Sequence, residues 1–411
     1  MKKISLAMAG LLISYTAFGA AYKIPEQSTR AMATAAAYFA SANHADAAYY
    51  NPAAMSWLEN KTLTELGIKY IYLPRINFEG YARDQITNVF FISNAKTVKE
   101  EFVIPYFHMV IPSTNNLRFG FSFTTPFGLS KRWSSDLQKQ TAEEFTLKVF
   151  EFDTTAAYKV NHALSLGAGL RTVYASGKIK AVREPGYRLR LSGESGLTFG
   201  YLISAALNFE KVKIATIYKS EIKPKIDGQA TGNVLIPEPI PTVYPISSEG
   251  SVKVVLPAEW RLGISYTPIP STTFDLTYEI TFWGRYKKLD FNFDDPVAEA
   301  TLGQPKDKYW HDSKTIRLGV QHKFNEKFTG MAGIAYDETP IPQKTLGFEL
   351  PDANGWIFSL GGLWTPTNNL EVGLAYLYVT KIDRNVYNEN IEGKFSDMTA
   401  HLVNLSIGYK F

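Results

Sequence analysis

The sequence predicts an all-β fold, a transmembrane antiparallel β-barrel of about 14 strands with an N-terminal helical hatch (plug) inside the lumen. Three observations carry that reading. Apolar and polar residues alternate with period two in segment after segment. Short turns and long loops take turns between those segments. Aromatic residues are abundant, with 24 Tyr, 26 Phe and 7 Trp among 411 residues. Yet beyond the N-terminus no run of ~18 or more apolar residues offers a membrane-crossing helix.

The alternation is plainest at the C-terminus. Val403, Leu405, Ile407, Tyr409 and Phe411 alternate with Asn404, Ser406, Gly408 and Lys410. Successive side chains of a strand point to opposite faces, so one face meets lipid and the other a polar lumen. The closing Phe411 resembles the aromatic terminal signal read by outer-membrane assembly machinery. Upstream, Phe274, Leu276, Tyr278, Ile280 and Phe282 alternate with Asp275, Thr277, Glu279 and Thr281. Trp260, Leu262, Ile264 and Tyr266 repeat the pattern against Arg261, Gly263, Ser265 and Thr267. Ile316, Leu318 and Val320 do so against Arg317, Gly319 and Gln321, and Phe150, Phe152 and Tyr158 oppose Glu151, Asp153 and Lys159.

The connections add independent information. Short turns fall at Pro112–Asn116, Val160–Ala163, Asn208–Lys211, Pro268–Ser271, Asn325–Lys327 and Pro366–Asn369. Long ones run near 74–99, 128–143, 225–249, 290–313, 338–353 and 384–397. Strict alternation of the two classes is the organisation of an outer-membrane barrel, with short turns facing the periplasm. Glu184-Pro185-Gly186-Tyr187 is the exception, a tight tip between two extended strands that project beyond the membrane. A soluble sandwich or propeller would not need outward aromatics on nearly every strand, and a propeller would repeat at blade length.

Residues 1–19 read as an export signal. Lys2 and Lys3 precede the apolar run Ile4–Phe18, and Ala17-Phe18-Gly19 fits small-x-small cleavage. Residues 61–411 are then the barrel. Residues 20–60 lack the strand pattern. Ala31–Ala42 is alanine-rich and reads as helix, whereas Asn51-Pro52 breaks it. A small, apolar segment of this kind belongs inside the barrel.

Composition excludes several classes. There is no cysteine, hence no thiolate metal site or disulfide. The formal charge is +4 with no clustered basic face for nucleic acid. The histidines (His44, His108, His162, His311, His322, His401) are scattered, and neither G-x-S-x-G nor H-E-x-x-H occurs, so no catalytic, metal or cofactor residues are indicated. An outer-membrane lipase or protease is the rival from the enzyme class, and an open porin the rival among channels.

The segment Ala20-Ala21-Tyr22-Lys23-Ile24-Pro25-Glu26, followed by Tyr50-Asn51-Pro52-Ala53, resembles the start of the FadL family of outer-membrane fatty-acid transporters. Pro126-Phe127-Gly128-Leu129, Leu256-Pro257-Ala258-Glu259-Trp260 and Leu350-Pro351-Asp352 are similar further on, so the likeness covers essentially the whole mature chain. It implies uptake of long-chain fatty acids or other hydrophobic small molecules across a Gram-negative outer membrane. Aromatic-hydrocarbon uptake by the same fold is the alternative. It also implies capture at the extracellular side, passage to a lumen pocket and lateral release at a strand kink. Tyr22 becomes a ligand contact, and Asn51, Pro52 and Ala53 would brace the hatch against the kinked strand. The third strand is favoured for the kink, through Gly120 or Pro126, with Pro105 in the second as the other choice. By parity Arg171, Arg190, Arg261 and Arg317 face the lumen, where they would meet a carboxylate or be taken up in ladders with Glu151, Asp153 and Glu279. Region 130–145 offers an outer helix. The expected surroundings are outer-membrane lipid and lipopolysaccharide, the expected state a monomer, and no cofactor is required.

Overall fold

The period-two segments become strands of one closed sheet in the computed structural model, which describes residues 21–183, 186–236 and 242–411. The leader with its cleavage site lies outside the described residues, as do Glu184, Pro185, Pro237, Pro239 and Pro241. The barrel strands are β1 (Leu63–Leu73), β2 (Glu100–Val110), β3 (Leu117–Lys131), β4 (Glu144–Lys159), β5 (Leu164–Arg183), β6 (Thr198–Asn208) and β7 (Val212–Lys219). They continue as β8 (Glu259–Ile269), β9 (Thr272–Thr281), β10 (Ser313–Lys323), β11 (Phe328–Asp337), β12 (Gly355–Trp364), β13 (Leu370–Lys381) and β14 (Thr399–Lys410). Each pairs antiparallel with its neighbour in sequence, and β14 pairs with β1 from Leu63↔Lys410 to Tyr72↔His401. The closed fourteen-stranded barrel of the sequence reading is therefore present. Closure within one chain leaves no free edge in the hydrocarbon, where an unpaired amide would have no water to bond.

The outward face carries exposed Leu66, Ile68, Phe152, Leu170, Ile203, Leu276, Leu318 and Leu405. Aromatic pairs flank this band. Tyr201–Tyr218, Trp260–Tyr278 and Tyr336–Trp356 lie at the extracellular ends, and Tyr409–Phe411 at the turn side. Such girdles fit the two membrane interfaces. No helix among the described residues is long and apolar enough to cross a membrane.

Residues 21–58 are buried almost throughout and bond to inward-facing side chains around the wall. Thr29 meets Ser406 at 2.5 Å, Ser41 donates to Asp275 at 2.8 Å, and Ser359 donates to the Ala33 carbonyl at 2.9 Å. The expected helix over Ala31–Ala42 is much shorter. Only α1 (Thr29–Ala33) forms there, followed after a break by α2 (Ala47–Tyr50). Ala35 and Ala36 take left-handed φ values of 50° and 59°, and Arg317 donates to the Ala35 carbonyl at 2.9 Å. Bonds to the wall thus replace the intrahelical ones, and tertiary context overrides alanine's helix propensity.

Outside the membrane the wall continues. Tyr187–Ser195 pairs with the upper half of β5 and with Lys225–Ile236, which pairs in turn with Thr242–Lys253. The long connection 225–249 is therefore a hairpin built into an outward sheet rather than a free loop. A second sheet joins 74–99 to 384–397 through strands Asn77–Arg83 and Ile391–Ser396. The outer helix expected in 130–145 is α3 (Asp136–Ala142).

Candidate functional site

The β2–β3 seam is where the barrel departs from regularity. β2 pairs with β1 along its whole length, from Leu63↔Val110 to Leu73↔Glu100. With β3 it pairs only from Val110↔Gly120 to Phe107↔Phe123. Beyond Thr124 the register of β3 against β4 shifts and resumes at Phe127↔Val149, so β3 stays with β4 and leaves β2. The two sides meet again at the top, where the Val98 amide donates to the Arg132 carbonyl at 2.9 Å. Between these points the wall has a window. Pro105 lies in the stretch of β2 that has β1 on one side only, a place where a missing ladder donor is tolerated.

The N-terminal segment occupies the inner side of this irregularity. Ile24 donates its amide to the Pro126 carbonyl at 2.7 Å, and Gly128 donates to the Tyr22 carbonyl at 2.9 Å. Gln27 clamps the bulge, accepting from the Thr125 amide at 3.2 Å and donating to the Thr125 carbonyl at 2.9 Å. Pro126 is thus at the break, whereas Gly120 lies below it in regular pairing. A Cβ on Gly120 would sit 2.7 Å from Ala48 Cβ and 2.6 Å from Met55 Sδ, so Gly120 admits the N-terminal segment rather than kinking the strand.

The expectation for Asn51-Pro52-Ala53 needs correction. Pro52 opens a 3-10 turn, Asn51 donates to the Phe39 carbonyl at 3.3 Å, and the Ala53 amide donates to Ser204 Oγ at 3.0 Å. A Cβ on Gly167 would lie 2.6 Å from the Ala53 nitrogen. Pro52 and Ala53 therefore meet β5 and β6 and Asn51 bonds within the N-terminal segment, while Lys23, Ile24 and Gln27 meet the kinked strand.

Above the N-terminal segment lies an apolar cavity walled by residues such as Leu147, Ile179, Leu191, Ile226, Val252 and Phe291. Tyr22 forms part of its floor. The Tyr22 ring packs edge-on to Trp283 at 4.7 Å, with Trp310 at 5.9 Å and Phe127 at 6.2 Å, and its hydroxyl donates to the Val255 carbonyl. A second hollow, bordered by Leu137 of α3, shares Phe145, Ile179, Leu191 and Phe291 with the cavity and opens outward. The charged side chains bordering the cavity include Lys308 and Glu349, paired at 2.6 Å. Burial works against the Lys308 ammonium, but Glu349 beside it prevails and holds its pKa above the ordinary value. Burial likewise opposes the Glu349 carboxylate, and Lys308 more than offsets it, keeping that pKa low. Burial pushes the Tyr286 hydroxyl up to about 12, so in the cavity wall it is a neutral donor.

The arginines are placed differently from one another. Arg171 forms a two-pronged pair with Glu151 at 3.0 and 2.7 Å and donates to the Ser220 carbonyl at 2.6 Å. Arg261 meets Glu279 at 2.5 Å and Glu259 at 3.0 Å, and Lys23 joins the same two carboxylates at 2.7 and 3.0 Å. Arg317 lies 3.8 Å from Glu279. All three are buried and face inward, and the cavity wall does not include them; Arg317 and the Arg261 cluster meet the N-terminal segment, whereas Arg171 bonds within the wall. Arg190 does not face the lumen. It is exposed on the outward face of Tyr187–Ser195. Sequence reasoning missed Lys308, Glu349, Trp283 and Trp310, which lie in long connections without periodicity. Among the described residues no group of three or more His, Cys, Asp or Glu could hold a metal ion.

A barrel of this build has known relatives. The chain is 24% identical to the long-chain fatty acid transport protein of Salmonella typhi over 446 residues, covering 100% of this chain and 98% of that one. Outer membrane protein P1 of Haemophilus influenzae is 23% identical over 427 residues, covering 92% of this chain and 90% of the relative. Among solved structures, a Pseudomonas aeruginosa FadL homologue superposes with a TM-score of 0.80 at 17% identity, over 95% of this chain and 100% of that one. The Pseudomonas putida toluene transporter TodX gives 0.69 at 15% identity, over 98% and 99%. At such identities the superpositions speak for the fold. The model of the family described as outer membrane protein transport protein (OMPP1/FadL/TodX) matches residues 10–411, and the chain belongs to that family.

Proposed function

We propose that this outer-membrane protein takes up long-chain fatty acids and releases them sideways into the membrane. The observation that carries the reading is the position of Tyr22. Its ring floors the apolar cavity, while its backbone carbonyl bonds to β3 at the window. A molecule resting on Tyr22 is one residue away from the strand pair whose separation opens toward lipid.

The route follows from burial and shape. An acyl chain enters through the hollow beside α3 and passes between Phe145, Ile179 and Leu191 into the cavity. Each methylene removed from water contributes about 0.8 kcal/mol, so the chain itself supplies most of the affinity. Its carboxylate competes with Glu349 for Lys308 and accepts from the Tyr286 hydroxyl. Pressure on Tyr22 then loosens the segment Tyr22–Ile24 from β3 and exposes the window. Residues 21–58 act as the hatch that keeps water and ions from following. Arg261 and Arg317 anchor that hatch, and Arg171 ties together parts of the wall, rather than holding cargo. The protein works as a transporter, in line with curated relatives described as transport proteins.

The test is uptake of radiolabelled oleate by Gram-negative cells that lack their own long-chain fatty acid transporter and express this chain. Saturable uptake above the empty-vector control is expected. No uptake from protein correctly inserted in the outer membrane would reject the reading, and saturable toluene entry in its place would assign the cargo to aromatic hydrocarbons.

A further inference from the structure

Two tryptophans break a rule that three others keep. Trp133 donates its indole N–H to the Phe348 carbonyl at 2.8 Å, Trp57 to the His162 carbonyl at 3.2 Å and Trp260 to Thr216 Oγ1 at 3.0 Å. Trp283 and Trp310 are buried like Trp133, at 0% and 4% exposure, and neither Nε1 has an acceptor among the described residues. A buried indole N–H ordinarily finds a partner, and one left without it is costly. Two such donors side by side call for an acceptor that comes and goes.

The fold places them in a row. Trp283 begins the 3-10 turn Trp283–Arg285 just beyond β9, and Trp310 lies just before β10. The Tyr286 amide closes that turn on the Trp283 carbonyl at 2.8 Å. The Trp310 amide donates to the Tyr286 carbonyl at 3.3 Å, so the returning chain is laid against the turn. Ring centroids then follow one another from Tyr286 to Trp310 at 4.8 Å, to Trp283 at 5.1 Å and to Phe127 of β3 at 6.4 Å. Tyr286 and Trp310 border the cavity together with Lys308. Phe127 stands at the window, opposite Lys23 of the N-terminal segment. The row therefore runs from the proposed seat of the carboxylate to the strand that leaves the seam. Along its way the Tyr22 ring packs on both indoles, at 4.7 Å from Trp283 and 5.9 Å from Trp310.

We propose that the indole N–H groups of Trp310 and Trp283 are successive binding points for the cargo's carboxylate on its way from Lys308 to the window. The inference rests on the uptake reading given above and adds the polar half of the route. A hydrocarbon tail slides past aromatic rings, but a carboxylate leaving Lys308 would lose its donor in a wholly apolar passage. A neutral N–H donating to an anion makes a charge-assisted bond. It holds the anion less firmly than an ammonium would, so the cargo passes on. Displacement of Tyr22 from the two rings uncovers the donors. They stay unpaired until cargo arrives, and the passage favours acids over hydrocarbons of equal length.

The experiment uses the full mature chain in detergent micelles with isotope-labelled indole nitrogens, the Trp283 and Trp310 NMR signals being assigned from Trp283→Phe and Trp310→Phe. Oleate is compared with octadecene, which has the same chain length and no oxygen, and loading is read independently by native mass spectrometry. Oleate is expected to shift the Trp310 N–H proton downfield, as hydrogen bonding does, whereas octadecene leaves it in place. In cells, Trp283→Phe is expected to take up oleate about threefold more slowly than wild type, the loss of one hydrogen bond in transit, with octadecene entry unchanged. A protein loaded with oleate whose Trp310 signal does not move, or moves alike with octadecene, overturns the proposal. So does a Trp283→Phe variant that loses both cargoes equally or neither. Should a Phe variant not insert, benzothienylalanine at the same position keeps the fused rings and replaces N–H by sulfur, and the same outcomes decide. Wild type that neither binds nor takes up oleate rejects the uptake reading and this inference with it, a result distinct from a silent indole in a loaded barrel.

Discussion

The Gly128 amide donates to the Tyr22 carbonyl at 2.9 Å, and this bond ties the floor of the cavity to the strand that leaves the barrel seam. A side chain and a backbone of one residue thus serve two places. The ring is buried among Trp283, Trp310 and Phe127, and the peptide stands where β2 would otherwise pair.

Tyr22→Ala removes the ring and keeps the peptide. Truncating a buried aromatic costs about 3–5 kcal/mol when the site cannot collapse. The cavity would then extend down to Trp283 and the Val255 carbonyl would lose its donor. Oleate binding to the purified protein, read by Trp fluorescence, is expected to weaken about tenfold or more, with heat-modifiable migration unchanged. Wild-type affinity in a folded variant would show that Tyr22 does not contact the cargo.

The seat of Asn51-Pro52-Ala53 makes a separate prediction. Gly167 faces the Ala53 nitrogen so closely that a methyl group at 2.6 Å forces the backbone of one partner to move. Gly167→Ala should therefore lift the 3-10 turn off β5 while leaving strand pairing intact. In planar bilayers its ion conductance should exceed that of wild type, which the N-terminal segment keeps low. Indistinguishable currents from the two proteins would mean that this contact does not seal the lumen.

Strand count and inward parity were legible because the wall is half lipid-facing and half polar, which stamps period two on every segment. Arg171, Arg261 and Arg317 were accordingly read as inward. Parity carries no information about height along the lumen, so it could not tell a cavity cation from one bonded to the N-terminal segment. Arg190 failed for a local reason. In Tyr187–Ser195 the inward residues are Leu189, Leu191 and Gly193, whereas in β6 they are Gly200, Leu202 and Ser204, so the phase slips by one residue across Gly196 and Leu197. A one-residue slip sends each side chain to the other face. The cavity charges escaped because Lys308 and Glu349 come from connections that follow no period.

Glu349 decides how much of the Lys308 charge a ligand meets. Its folded pKa is depressed, so its contribution is complete above the ordinary carboxylate value of about 4.3 and is lost as pH falls through the folded value. Lys308 has a raised pKa, so its contribution is complete below about 10.4 and is lost as pH rises through the folded value. The pair therefore stands across the neutral range. Glu349→Gln leaves the ammonium for the cargo, and oleate should bind about threefold more tightly while methyl oleate is unaffected. Parallel changes for acid and ester would remove Lys308 from carboxylate recognition.

The last prediction separates anchoring from cargo contact for the buried arginines. Arg171 is held by Glu151 through two hydrogen bonds and by the Ser220 carbonyl, with both side chains nearly inaccessible. Removing one partner of a buried pair leaves the other charge uncompensated, at a cost of about 3–5 kcal/mol. Glu151→Gln should thus lower the unfolding midpoint in guanidinium clearly. A double change, Glu151→Gln with Arg171→Met, should recover much of that loss, because no charge is then left alone. Oleate affinity should stay within about twofold of wild type in both variants. If affinity fell in step with loss of the Arg171 charge while stability recovered, the guanidinium would belong to the cargo path and the anchoring role would be wrong.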